Sequence, residues 1–130
     1  MRVLALDYGS ARCGCALSDP TGTVATPLEP VLQAGTRRGL ARVVRLVTER
    51  EVDRVVVGLP VSMSGADSAQ TEEARAFAQR LGERVEVPVE LYDERLTTAL
   101  ARRHGGTASE DSRAAAHLLE AWLARTERGG

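Results

Sequence analysis

Carboxylates at the ends of apolar runs are the residues of this chain best placed to do chemistry. Asp7 closes the run VLAL and precedes Tyr8, Gly9 and Ser10; Asp93 and Glu94 close VELY. Asp111 stands ahead of Ala115, Leu118 and Trp122 at the i+4, i+7 and i+11 spacing of one buried helix face. A lone carboxylate turned toward a sheet is costly. Singly, each acid has a local explanation: a turn for Asp7, an Arg95 ion pair for Asp93 or Glu94, a helix-dipole partner for Asp111. Together they bring acids from three separated segments to one end of one sheet, where mutual repulsion calls for a divalent cation. Oxygen donors, in a chain with only 2 histidines, favour Mg²⁺ or Mn²⁺ over zinc.

The elements that must position these acids are legible as changes of period. Val3–Leu6 is apolar on both faces, as in a covered central strand. Cys13–Ser18 and Thr23–Leu28 follow as strands, joined by the turn Asp19-Pro20-Thr21-Gly22. Leu40, Val43, Val44 and Val47 then recur at i, i+3, i+4 and i+7, which predicts an amphipathic helix from near Thr36. Arg54–Leu59 reads as a fourth strand halted by Pro60, and VSMSGADS as a loop. Ala74, Phe77, Ala78 and Leu81 share one face of a second helix, with Asp67 as its N-cap and Gly82 as its stop. Val87–Tyr92 is a fifth strand. A short helix runs from Thr97 to the break His104-Gly105-Gly106, and a last helix from Ser109 buries Ala115, Leu118, Leu119 and Trp122. The order βββαβαβαα predicts an α/β fold, a five-stranded mixed sheet flanked by helices. Residues 1–126 form a single domain and residues 127–130 a frayed tail.

Composition narrows the function further. Hydrophobic residues at 43% and charged residues at 27% match a soluble globular domain. The net charge of −1 supplies no global basic field toward nucleic acid. All 17 basic residues are Arg, which excludes a Schiff-base or P-loop lysine and leaves guanidinium groups that grip phosphates bidentately. Cys13 and Cys15 share one strand face and read as core packing, not as a bridge or a zinc site. No signal peptide or bilayer-spanning run is present, so the expected location is cytoplasmic, with no membrane partner. His117 lies off the buried stripe, His104 sits in a loop, and Trp122 belongs to the core.

The opening LALDYGSARCG, the central VVVGLPVSMSG, the segment LYDERLTT and the closing EDSRAAAHLLEAWL resemble, in this order, the YqgF/RuvX family. The resemblance covers nearly the whole chain and implies a ribonuclease H-like fold related to the RuvC junction resolvases. It implies a metal-dependent nuclease, discussed for the family as processing the 5′ end of pre-16S rRNA and as a Holliday junction resolvase. By matching position it makes Asp7, Glu94 and Asp111 the catalytic and metal-binding acids, with Asp93 the alternative ligand. Arg12, Arg95 and Thr97 become nucleic-acid contacts, and Gly58, Pro60, Met63 and Gly65 also fall on family motifs. In the related resolvases the second acid closes strand four. Here Gly58-Leu59-Pro60 stands there, so that ligand must come from strand five. Alternation sends strand neighbours to opposite faces, and Glu reaches one methylene further than Asp, which favours Glu94 over Asp93. GGTASE occupies the place where the family often carries a basic stretch.

The implied reaction is phosphodiester hydrolysis, in which Mg²⁺ or Mn²⁺ activates water and neutralises transition-state charge. Gly9 would let a phosphate or metal approach the backbone. Arg37, Arg38, Arg102 and Arg103 could extend a track of phosphate contacts, but a solvated face is the better reading. A junction resolvase needs a two-fold homodimer, whereas an RNA trimmer can act as a monomer. Pre-rRNA is favoured over branched DNA. A non-catalytic nucleic-acid-binding or transcription-associated factor is the alternative from another class. Asp-x-Gly-Ser also opens actin-like ATPases, but those need two lobes and this chain supplies one.

Overall fold

A computed structural model of the chain describes residues 1–59, 69–93 and 108–129, with the backbone alone at 93, 108–111 and 126–129. Its elements are β1 (Val3–Asp7), β2 (Arg12–Ser18), β3 (Ala25–Leu32), α1 (Arg37–Glu49), β4 (Arg54–Leu59), α2 (Ala69–Arg84), β5 (Val89–Asp93) and α3 (Ala108–Gly129). The sheet order is β3-β2-β1-β4-β5. β2 pairs antiparallel with both β1 and β3, while β1, β4 and β5 run parallel. The C-terminal ends of β1, β3, β4 and β5 therefore share one edge with the start of β2. That edge is where the acids were expected.

Strand alternation splits the core into two layers. Leu4, Leu6, Cys13, Cys15, Val55 and Val57 turn to one face and pack with Leu40, Val43 and Val47 of α1 and Phe77, Ala78 and Leu81 of α2. Val3, Ala5, Ala16, Val56 and Tyr92 turn to the other, under Ala115, Leu118, Leu119 and Trp122 of α3. Phe77 is fully buried, so Phe77→Ala should cost about 3–5 kcal/mol through lost burial and the cavity left behind. α1 starts where expected because the Thr36 hydroxyl accepts a hydrogen bond from the Gly39 N–H at 3.1 Å. No described helix is long and apolar enough to cross a membrane.

Several boundaries differ from the sequence reading. β3 continues past Leu28 to Leu32, through Pro27 and Pro30, because an edge strand tolerates residues that cannot donate to a neighbour. A register shift between Cys13 and Cys15 absorbs one extra β3 residue. β1 includes Asp7, and β5 starts at Val89 and includes Asp93. Gly82 does not stop α2, which runs on to Arg84. This exposed glycine has open space where a Cβ would stand, and the packing of Phe77, Ala78 and Leu81 carries the helix through it. The backbone of α3 is helical to Gly129, through residues 127–129 that were expected to fray. The proposed Asp67 cap and the short helix from Thr97 lie outside the described residues.

Candidate active site

Asp7 ends the central strand, half-buried, with Gly14 of β2 as its register partner on one side and Gly58 of β4 on the other. Val3 and Ala5 of the same strand pack under α3, so alternation puts Asp7 on the α3 face as well. Ala16 and Val56, each two positions from these glycines, also pack under α3. The row across the sheet is thus Gly14, Asp7, Gly58 and Tyr92, with side chains missing on both sides of the carboxylate.

The start of α3 is tied to this row. Ser112 is buried at 1% exposure, and its hydroxyl accepts a hydrogen bond from the Cys15 N–H at 3.4 Å. Cys15 is the register partner of Leu6, the residue before Asp7. The backbone of Asp111, next to Ser112 in the first turn of α3, therefore lies beside the strand end that carries Asp7. Sequence reasoning did not single out Ser112. Its signal was a small hydroxyl residue at i−3 and i−7 from buried Ala115 and Leu119, at a position where an apolar residue is usual.

The turn after Asp7 is held from the opposite face. The Tyr8 ring lies 4.8 Å from that of Phe77, tilted by 31°. Burial, and next the Glu73 carboxylate, push its phenol above the ordinary range, partly offset by the Arg80 guanidinium, so Tyr8 stays protonated. Arg80 donates to the Gly35 carbonyl at 2.7 Å, and a Cβ on Gly35 would collide with the Tyr8 hydroxyl. Gly9 has an internal reason to be glycine: a Cβ there would stand 2.5 Å from the Arg12 carbonyl oxygen. The tight turn alone requires it, whatever ligand approaches.

Of the other expected site residues, Arg12 is exposed at the head of β2, opposite Leu32 and on the Asp7 edge. Asp93 ends β5 as the register partner of Leu59. Glu94, Arg95, Thr97, Pro60, Met63 and Gly65 lie outside the described residues, as do Arg102, Arg103 and His104. Among the described residues no group of three or more His, Cys, Asp or Glu could hold a metal ion. Two of the three expected ligands, Glu94 and the Asp111 side chain, are beyond that description. Cys13 and Cys15 are thiols outside any disulfide, buried in the opposite layer, Trp122 is core, and His117 is exposed beside Glu120 at 3.4 Å.

Residues 1–125 match the family described as "RuvX: Holliday junction resolvase". A protein of Anaeromyxobacter sp. (strain Fw109-5) named "Putative pre-16S rRNA nuclease" is 43% identical over 132 residues, spanning 95% of this chain and 96% of the relative. One of the same name from Koribacter versatilis (strain Ellin345) is 44% identical over 102 residues, 78% of this chain and 67% of the relative. Thermus thermophilus RuvC in complex with a Holliday junction substrate shares the fold, with TM-score 0.64 and 19% identity across 98% of this chain and 96% of that one. Family match, curated relatives and fold agree: the chain belongs to the RuvX (YqgF) family and has its RuvC-like, ribonuclease H-like architecture.

Proposed function

We propose that the chain is a divalent-metal-dependent nuclease hydrolysing phosphodiester bonds in structured nucleic acid, with the 5′ end of pre-16S rRNA as its substrate. One observation carries this reading. Asp7 ends the central strand on the α3 face, flanked by glycines and beside the Ser112 tether of the helix that bears Asp111. A carboxylate with empty positions on both sides is accessible to a hydrated cation and to a bulky phosphate. The curated relatives' name is the second support.

The donor chemistry fits a hard cation. Asp7, Glu94 and Asp111 offer carboxylate oxygens alone, and both thiols belong to the opposite layer. Bound Mg²⁺ or Mn²⁺ would supply an activated water and charge neutralisation at the phosphoryl group and leaving oxygen. Asp7 would hold the cation from a strand end that the packed sheet keeps rigid. Position 94 lies two beyond Tyr92, which packs on the Asp7 face, and that parity favours Glu94 over Asp93 as a ligand. Arg12 would grip a flanking phosphate bidentately, and Arg95 and Thr97 would extend that contact.

A second reading, Holliday junction resolvase, is favoured by the family's own description. It requires a homodimer with paired sites, whereas RNA trimming is open to a monomer. In either case we place the protein in the cytoplasm. The test offers an RNA carrying the pre-16S 5′ leader and a four-way DNA junction side by side, with Mn²⁺ or EDTA. Wild type should cut the RNA only with metal, and folded Asp7→Asn should lose about 10²-fold or more, the scale of removing a metal-held transition-state contact. Symmetric junction cuts by a stable dimer that ignores the RNA would select the second reading. Binding without cleavage, or full activity of Asp7→Asn, would overturn the nuclease reading itself.

A further inference from the structure

Two arginines sit where helix stability alone does not put them. Arg37 and Arg38 are the first two residues of α1, both exposed, and no acidic residue shares that turn. Cationic side chains at a helix N-terminus oppose the macrodipole, so their charge works against local folding. Neither forms an ion pair with a described residue.

Their place in the fold is fixed. β3 ends at Leu32, opposite Arg12, and the Gln33 N–H donates to the Ala11 carbonyl at 2.9 Å. The Thr36 N–H and hydroxyl both donate to the Gln33 carbonyl, at 3.0 and 2.7 Å. Gly39 lies so close to Gln33 that a Cβ there would run into its carbonyl oxygen. α1 therefore starts rigidly at the end of the sheet that carries Asp7, on the β3 side and in the layer opposite α3. β3 is two strands from β1, a span of about 10 Å at ~4.8 Å per strand. Nucleic-acid charges recur about every 3.4 Å along one strand of a duplex, so this span matches roughly three phosphates.

We propose that Arg37 and Arg38, continuing from Arg12, form a phosphate-binding strip for a base-paired RNA arm that flanks the strand presented to Asp7. The proposal rests on the nuclease reading. It assigns to this chain's own arginines the direction in which the substrate leaves the site, across β2 and β3.

The test is the salt dependence of binding for a fluorescent RNA hairpin with a 5′ single-stranded extension, measured in EDTA. Arg37→Gln/Arg38→Gln should reduce the slope of log K against log salt by about 2, one for each lost phosphate contact. Its KM should rise with kcat unchanged, and its Tm should hold or increase, which a structural role would not allow. Arg84→Gln, at the far end of α2, should keep the wild-type slope. A double variant with the wild-type slope overturns the strip and leaves the nuclease reading intact. Wild type that neither binds nor cuts RNA overturns both. A slope change on a four-way DNA junction but not on the hairpin overturns the assignment to RNA.

Discussion

Asp7 and Gly58 are register partners across the parallel β1–β4 pair, so the sheet position beside the strand-end carboxylate carries no side chain. Val56, two residues before Gly58, packs under α3, so a side chain at 58 would share the Asp7 face. RuvX-family resemblance explains why this matters: the related resolvases put an acid at the end of this strand. The vacancy can be refilled. In Gly58→Asp two carboxylates would lie about 5 Å apart, and their repulsion would destabilise the apoprotein. The variant's Tm should fall below wild type in EDTA and rise more than wild type on adding Mn²⁺, since a cation binding only the folded state stabilises it. Equal Mn²⁺ shifts in both proteins would mean that the cation does not sit in the Asp7 row.

Strand parity, carried on past Asp93, would separate the two acids that follow Tyr92. Tyr92 packs on the α3 face, and a strand continuing from it would return to that face at position 94. Glu94→Gln should lose cleavage on the scale of Asp7→Asn, about 10²-fold or more, and Asp93→Asn should keep most of its rate. A Mn²⁺ titration of each folded variant decides between them. Loss of activity in Asp93→Asn with retention in Glu94→Gln would reverse the assignment.

How much of this was legible depended on the range of the interaction. The sheet covered on both faces followed from the unbroken apolar runs of β1 and β4 and from the 3.6-residue stripe of α1, patterns contained in a few consecutive residues. Asp7 stood out for the same reason, as an acid closing an apolar run. The Ser112–Cys15 bond joins residues 97 apart in sequence, and no local pattern encodes it. The contact of Tyr8 with Phe77 is also long-range in sequence. Gly82 was misread because glycine commonly terminates helices, while here packing of Phe77, Ala78 and Leu81 carries the helix through it. For Arg37 and Arg38 the sequence left two readings, a phosphate track and a solvated face, because it does not show where α1 starts relative to Asp7.

Two glycines in helices should respond oppositely to alanine. At Gly82 a Cβ meets nothing within 4 Å, so Gly82→Ala should stabilise by about 0.5–1 kcal/mol through reduced chain entropy and better helix propensity. At Gly39 the Cβ would strike backbone of Gln33 and Ala34, which cannot swing aside as a side chain would. Gly39→Ala should cost about 1–3 kcal/mol and displace the start of α1. Thermal melts of the two variants check both signs, and a neutral Gly39→Ala would show that this turn can yield.

Acid should weaken the fold in part through Asp19, which organises the β2–β3 turn. Its carboxylate accepts hydrogen bonds from the Thr21 hydroxyl and from the N–H groups of Val24 at 2.8 Å and Thr23 at 2.7 Å. These bonds, the Thr21 one foremost, hold its pKa well below the ordinary value of 3.8. A depressed folded pKa means that the unfolded chain takes up the proton first. The stabilisation is therefore complete above 3.8 and is lost as pH falls toward the folded value. Asp19→Asn cannot ionise, so its stability lacks this dependence. Its Tm should lie below wild type at neutral pH, and the gap should close as melts are taken down through pH 3.8. Thr21→Val, which removes the leading bond and keeps the carboxylate, should close only part of the gap. Wild-type and Asp19→Asn curves that stay parallel into acid would rule out this carboxylate as a source of the pH dependence.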